Sequence, residues 1–151
     1  MVRRVQGRGE ARMRGAWWFR VAVIAFFLWS LSGVFACIQQ FRLGAEAMGP
    51  ATDYDRALFA SLPIWYMAVY AVATGCSLLG ALAMVAGSVL SIPLLTIALV
   101  AVMIQFGWLF AVTDIVAVKG IWVAYFPLLI LAVAAGALKL AHLGRRRGWI
   151  G

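Results

Sequence analysis

Apolar residues run along this chain in long unbroken blocks separated by short polar stretches. From Ala57 to Thr113, 57 consecutive residues carry no charge, and further uncharged blocks run from Val21 to Phe41 and from Gly120 to Leu138. A helix rises ~1.5 Å per residue, so about 20 apolar residues cross a hydrocarbon layer ~30 Å thick. Four blocks reach that length and predict spanning helices over about 17–40, 63–86, 92–112 and 121–140. Transmembrane barrel strands would alternate apolar and polar residues over about ten positions, and none of the blocks does so. The pattern predicts an all-α membrane protein: a basic segment 1–16, one four-helix transmembrane domain 17–143 and a basic tail 144–151.

Punctuation residues agree with these lengths. Ser61 and Pro63 read as cap and first-turn proline of the second span, and Ser91 with Pro93 as those of the third. Only Gly87, Ser88, Val89 and Leu90 lie between those spans, which predicts a tight helical hairpin. Pro127 falls inside the fourth span and predicts a kink there.

Small and polar residues mark the faces by which helices approach in lipid, where no hydrophobic drive pairs them. Such stripes recur at a spacing near 3.5. The first is Ser30, Gly33, Cys37 and Gln40; the second is Tyr66, Tyr70, Ala73, Ser77, Gly80, Met84 and Gly87. The third is Ala98, Ala101, Gln105 and Trp108, and the fourth is Trp122, Tyr125, Leu129, Ala132, Gly136 and Lys139. The spacing predicts an antiparallel four-helix bundle with left-handed packing. Alternating helix direction then gathers Gln39, Gln40, Trp65, Tyr66, Gln105, Trp108, Trp122 and Tyr125 in one half of the bundle. Small residues fill the opposite half, which predicts a bundle wide at one end and shut at the other. Two readings of the aromatic and amide cluster stand. It lines a vestibule for a neutral polar solute, or it is an interfacial aromatic belt with Gln105 as interhelical glue.

Charge fixes the expected orientation. Of 13 basic residues, ten flank the two termini: Arg3, Arg4, Arg8, Arg12, Arg14 and Arg20 at one, Lys139, Arg145, Arg146 and Arg147 at the other. Arg42, Arg56 and Lys119 share the opposite loops with Glu46, Asp53, Asp55 and Asp114. The positive-inside bias therefore puts both termini in the cytoplasm. Arg145, Arg146, Arg147 and Trp149 are expected to anchor in an anionic headgroup layer. Met13 is an alternative initiator that would remove four arginines. Val34-Phe35-Ala36-Cys37 also has the order of a lipoprotein signal, but Phe35 is too bulky, and cleavage would leave three spans with a charge distribution on the wrong side.

Other chemistry is excluded step by step. One histidine, His142, and two cysteines, Cys37 and Cys76, are too few for a closed metal site, and the cysteines lie at different depths. No cofactor motif, catalytic pair or phosphate-binding loop is present, and no ionisable group falls inside a span. Asp53, Asp55 and Asp114 read as solvated loop acids. The basic residues form no nucleic-acid footprint.

The run from Phe27 to Ala36 with Gln40, then Leu62-Pro63-Ile64-Trp65-Tyr66, the Gly80 helix, Pro93-Leu94 with Gln105, and the Arg147-Gly148-Trp149 ending resemble a family of small bacterial four-helix membrane proteins. These often carry the label sugar transporter. The resemblance implies a bacterial inner membrane and covers about residues 18–150. This chain lacks the basic cluster usual there between the second and third helices. With no charged relay and no catalytic constellation, the expected role is a non-catalytic accessory or structural subunit, a homo-oligomer or part of a larger complex. The alternative is an oligomeric transporter of a small neutral polar solute such as a sugar.

Overall fold

A computed structural model describes residues 2–151, with side chains from Ala16 onward; the arginines of the basic N-terminal segment from Arg3 to Arg14 lie outside the described side chains. The described residues are helical without any strand: α1 (Val2–Leu43), α2 (Asp53–Ser61), α3 (Ile64–Val85), α4 (Ser91–Val112), α5 (Ile115–Lys119) and α6 (Tyr125–Arg146), with 3-10 turns at Gly44–Met48 and Ile121–Ala124. Four helical stretches are long and apolar enough to cross a membrane: Ala16–Met48, Ile64–Val85, Ser91–Val112 and Ile121–Arg146. The chain is a multi-pass membrane protein by that measure. Large apolar side chains cover the outside, among them Ile64, Leu79, Ile97 and Leu128, as a lipid-facing surface requires.

Contacts run from α1 to α3, α3 to α4 and α4 to α6, and a thin α6–α1 seam closes the ring. Two glycines set the closest approaches. A Cβ on Gly80 would lie 2.7 Å from Leu95 Cδ2, so α3 and α4 touch there almost backbone to side chain. Likewise, a Cβ on Gly144 would lie 2.8 Å from the Phe19 ring, where α6 meets α1. Around these contacts Phe19, Val23, Phe26, Ala81, Met84, Leu95, Ala137, Ala141 and Ile150 form the main buried cluster. This end of the bundle, which carries the α3–α4 hairpin and the C-terminus, is the terminal end; the other is the loop end.

Two helix endings lock the terminal end. At the end of α3, Gly87 takes φ 71° and its N–H donates to Met84 O, while Ser88 N–H donates to Ala83 O at 2.7 Å. At the end of α6, Gly148 takes φ 69°, its N–H donates to Arg145 O, and Trp149 N–H donates to Gly144 O at 2.8 Å. Both are the glycine-terminated Schellman pattern, in which a left-handed residue lets the last carbonyls find donors. They dock on each other: Gly151 N–H donates to Gly87 O at 3.0 Å. Trp149 stacks at a tilt on Phe19, 5.1 Å between centroids, and the Arg147 guanidinium lies 5.6 Å from the Trp149 ring centre. The tail therefore turns back onto the helices, with Trp149 partly buried and Ile150 buried. Arg145, Arg146 and Arg147 remain exposed beside it.

Three expectations about helix starts need correction. Ser61 ends α2, donating to Leu58 O at 2.7 Å, and Pro63 itself occupies the N-cap of α3. Ser91 lies inside the first turn of α4, fully buried with an unpartnered Oγ, because Ser88 accepts the Leu90 N–H instead. Pro127 does not interrupt a long helix. A 3-10 turn ends at Ala124 and α6 begins at Tyr125, so the proline falls in a first turn, where a missing N–H breaks no ladder bond.

The stripes on α1, α3 and α4 face inward as expected, with Ser30, Cys37, Tyr66, Ala73, Gly80, Ala98, Ala101 and Gln105 buried and Gly33, Ser77 and Gly87 half-buried. Ser30 and Ser77 hydroxyls bond across α1 and α3 at 3.1 Å. The fourth stripe is a correction: Trp122, Tyr125, Leu129, Ala132, Gly136 and Lys139 are exposed. The buried face of α6 is instead Pro127, Ala137, Ala141 and Gly144, with Ile130 and Ala134 half-buried between them. It has the same spacing but carries no charge, whereas the expected stripe would have turned Lys139 inward.

Substitution separates the packed glycines of α3 and α6 from an open one. Gly80→Ala and Gly144→Ala should each destabilise the detergent-solubilised protein by about 1–3 kcal/mol, because the added methyl meets packed neighbours. Gly136→Ala, with open space around it, should remain within about 1 kcal/mol of the parent, on the stabilising side. Denaturant unfolding followed by circular dichroism measures all three.

Candidate functional site

At the loop end the helices part, and two adjoining cavities occupy the space. The inner one, about 190 Å³, lies between all four spanning helices at their middle, walled by Phe26, Trp29, Gly33, Ala98, Val102 and Ala134. The vestibule above it, about 490 Å³, is lined by Gln40, Leu58, Phe59, Ile115 and Lys119 among others. Tyr70, Gln105, Phe106, Phe126 and Ile130 line both and form the throat between them. Below, the buried cluster on Phe19 and Leu95 closes the terminal end.

The polar groups differ with depth. In the inner cavity, Ser30 and Ser77 face each other, Thr74 Oγ1 donates to Tyr70 O at 3.0 Å, and Ser32 Oγ donates to Trp29 O at 2.6 Å. These hydroxyls are engaged within the protein. Amide and phenol groups instead gather at the throat and vestibule, on Gln40, Tyr66, Tyr70 and Gln105.

Of the eight residues expected in this half, the structure brings Gln40, Tyr66 and Gln105 to the cavity wall. Trp65 and Trp108 stand behind Tyr66 as an aromatic cluster, with Trp65 edge-on to Trp108 at 5.5 Å and Tyr66 5.6 Å from Trp108. They brace the α3–α4 seam rather than line the space. Gln39 is half-buried outside the lining. Trp122 and Tyr125, 83% and 70% exposed, stand away from it on the outer face of α6. Phe106, Phe126 and Ile130 do line the throat and were missed. An uncharged face running from Ile130 through Ala137 to Gly144 was the signal available for α6.

A roof covers the vestibule, built from the segment expected to be a plain loop. Thr52 caps α2: its Oγ1 accepts the Asp55 N–H at 3.2 Å while Asp55 Oδ2 accepts the Thr52 N–H at 2.9 Å, a capping box. Arg56 bridges Glu46 at 2.8 Å and Asp53 at 3.3 Å, folding the 3-10 turn onto α2. Two side chains then tie this roof to α5 and its start: Asp55 pairs with Lys119, and Tyr54 Oη donates to Asp114 Oδ1 at 2.7 Å. Asp53, Asp55 and Asp114, expected as solvated acids, thus each hold a partner. Among the described residues, no three His, Cys, Asp or Glu side chains gather as metal ligands. Compared with protein-family models, curated proteins and solved structures, the chain matches none.

Electrostatics make this latch insensitive to ordinary pH. The Lys119 ammonium, with the Thr52 N–H and hydroxyl, holds the Asp55 carboxyl down at about 2. Donation to Asp114 pushes the Tyr54 phenol up to about 12. A depressed acid contributes above its unfolded value near 3.8 and is lost as pH falls toward 2; a raised phenol contributes below 10 and is lost as pH climbs toward 12. Amide exchange over Asp53–Ser61 should therefore show constant protection, after correction for intrinsic rates, between about pH 5 and 9. Lys119→Met should raise exchange there at every pH in that window; a wild-type loss of protection near neutrality would contradict the assignment.

Proposed function

We propose that this protein holds and carries a small uncharged solute through a membrane. The observation that supports this reading is the two-part cavity, partly roofed at the loop end and shut at the terminal end. A scaffold needs no such space, and apolar packing in the bilayer would favour filling it. The vestibule volume falls within the range of small-molecule sites, roughly 300–1,000 Å³. Charged groups at its wall are balanced, Asp55 against Lys119, which suits a neutral ligand. The label usual for the family this chain resembles, sugar transporter, agrees with a neutral solute. Transport would need a second state in which the terminal end opens, and the docked turns at Gly87 and Gly148 are the contacts that must part.

The frame for this reading is an antiparallel, left-handed bundle in a bacterial inner membrane with both termini cytoplasmic. Tyr66 against Trp108 and Gly80 beside Leu95 support antiparallel neighbours, since one number falls as the other rises. The spacing near 3.5 supports the handedness. Ten basic residues at the two ends support the orientation, and anionic lipid is the natural partner of Arg145, Arg146 and Arg147. No catalytic group enters this mechanism.

A second reading, a non-catalytic accessory subunit or homo-oligomer, has one observation in its favour. The exposed face of α6 carries Trp122, Tyr125, Ala132 and Gly136, which suits close approach by another helix.

The cavity reading is tested by closing the space. Ala98, 4% exposed, lines the inner cavity, so Ala98→Phe should fill it. Against a panel of uncharged polyols, monosaccharides and monoacylglycerols, the parent should gain thermal stability with at least one, worth ~2.7 kcal/mol at 100 times Kd. Ala98→Phe and Gln105→Leu should lose that gain while inserting at normal abundance. No gain with any panel member would overturn solute binding.

A further inference from the structure

We propose that the cavity takes an uncharged amphiphile with a single hydrocarbon chain, which enters sideways from the bilayer between α1 and α6. This inference rests on the solute-holding reading above and names its ligand class.

Three observations converge on it. The first is the division of polarity with depth. The serine and threonine hydroxyls of the inner cavity bond one another or backbone carbonyls, its lower wall is otherwise Phe26, Trp29, Val102 and alanines, and its other polar groups, the Tyr70 phenol and the Gln105 amide, sit at its upper end. A sugar or polyol placed there would find few donors for its own oxygens, since most of these hydroxyls have spent their protons and keep only lone pairs, at roughly 1–3 kcal/mol for each group left unpaired. A hydrocarbon chain loses nothing there and gains dispersion contacts. Groups able to bond a polar head, the Gln40 and Gln105 amides and the Tyr70 phenol, sit above at the throat and vestibule.

The second is an opening in the side wall. Ser32 on α1 and Phe126 on α6 both line the inner cavity, and both are exposed. In the register set by Phe19 and Gly144 they lie about five residues apart along the seam, and direct contact between α1 and α6 is sparse, so the lateral opening is placed along this stretch, on the side a bilayer would cover. The seam closes only lower down, where Phe19 meets Gly144. Above, the roof is tied from Asp55 to Lys119 and from Tyr54 to Asp114. The lateral gap is the route that opens toward the bilayer and leaves both ties in place.

The third is length. From Gln105 down to Ala98 the inner cavity descends seven residues of α4, about 10 Å at 1.5 Å per residue. That segment straddles the middle of a 22-residue spanning helix, so the inner cavity lies at the bilayer midplane, and the vestibule above it, lined as far as Leu109 and Ile115, carries the site up toward headgroup depth. One leaflet is the depth a single lipid chain occupies, ~15 Å of a ~30 Å core. The balanced Asp55–Lys119 pair at the mouth gives no net attraction for a charged head, whose burial would be costly.

The experiment uses the full chain in phosphatidylcholine nanodiscs doped with a 1-monoacylglycerol that carries a diazirine in mid-chain. After illumination, labelled residues are mapped by mass spectrometry. Label on Trp29, Ile130 or Ala134 is the expected result, reduced about tenfold by excess unlabelled monoacylglycerol and unchanged by free glycerol. Lysophosphatidic acid with the same chain should compete about tenfold less well. Ala134→Phe, which narrows the gap, should cut the label at least about fivefold while Leu128→Phe on the outer face leaves it unchanged. Label confined to Leu128, Ala132 and Gly136 and not competed would mean contact with bulk lipid and overturn the inference. Competition by glycerol as strong as by monoacylglycerol would remove the chain requirement but leave solute binding standing. Better competition by lysophosphatidic acid would overturn the uncharged head. Absence of label together with absence of any thermal gain across the panel would overturn both readings.

Discussion

The Phe19 ring against Gly144 fixes the shape of this molecule. Because Gly144 has no side chain, α6 comes within ring contact of α1 at the terminal end, and the turn that follows can fold Ile150 into the same buried cluster. At the other end nothing comparable joins these two helices. Phe126 and Trp29 face open space across the seam. A pair of helices pinned at one end and unpinned at the other leaves a tapering gap, and the inner cavity lies beside it. In a lipid environment such closures depend on fit more than on water exclusion, so one absent methyl group has large leverage.

The roof follows from a different constraint. Twenty residues between α1 and α3 must return the chain to the bundle with every backbone donor satisfied, and a short capped helix does this locally. Its acids would repel one another without the cations woven among them. Arg56 and Lys119 serve that need, and the result is a lid held by one ion pair and one phenol–carboxylate hydrogen bond at every ordinary pH. The hydrocarbon depth below is free of charge, while the mouth is charged but balanced. That gradient gives the cavity its amphiphilic character.

Much of this was legible in the sequence. Span lengths followed from hydrophobic blocks, and three inward stripes followed from small and polar residues at a 3.5 spacing. Small residues in the terminal half foretold the closure there. The fourth helix was misread because Ala132 and Gly136 sit one or two positions from Ala134 and Ala137, and alanine and glycine do not distinguish a packed face from a lipid face. Lys139 did distinguish them, since a charge cannot point into the bundle. Helix starts were misread because serines at positions 61 and 91 imitate caps, while the bonds at these starts use Pro63 geometry and Ser88. The roof was invisible to block hydropathy: its order comes from Thr52, Asp55, Arg56 and Lys119, residues 64 positions apart at the extremes of the Asp55–Lys119 pair. Of the aromatic and amide cluster, composition alone could not separate the wall-lining Tyr66 and Gln105 from the bracing tryptophans.

The taper between α1 and α6 is the central claim, and spin-label distances in bilayers test it most directly. Arg20 with His142, and Phe35 with Leu128, are two exposed pairs on these helices that lie level in the register set by Phe19 and Gly144. With labels on cysteines at those positions, electron–electron double resonance should give a longer and broader distance for the 35–128 pair than for the 20–142 pair. Equal distances, or a shorter one at the loop end, would contradict the account.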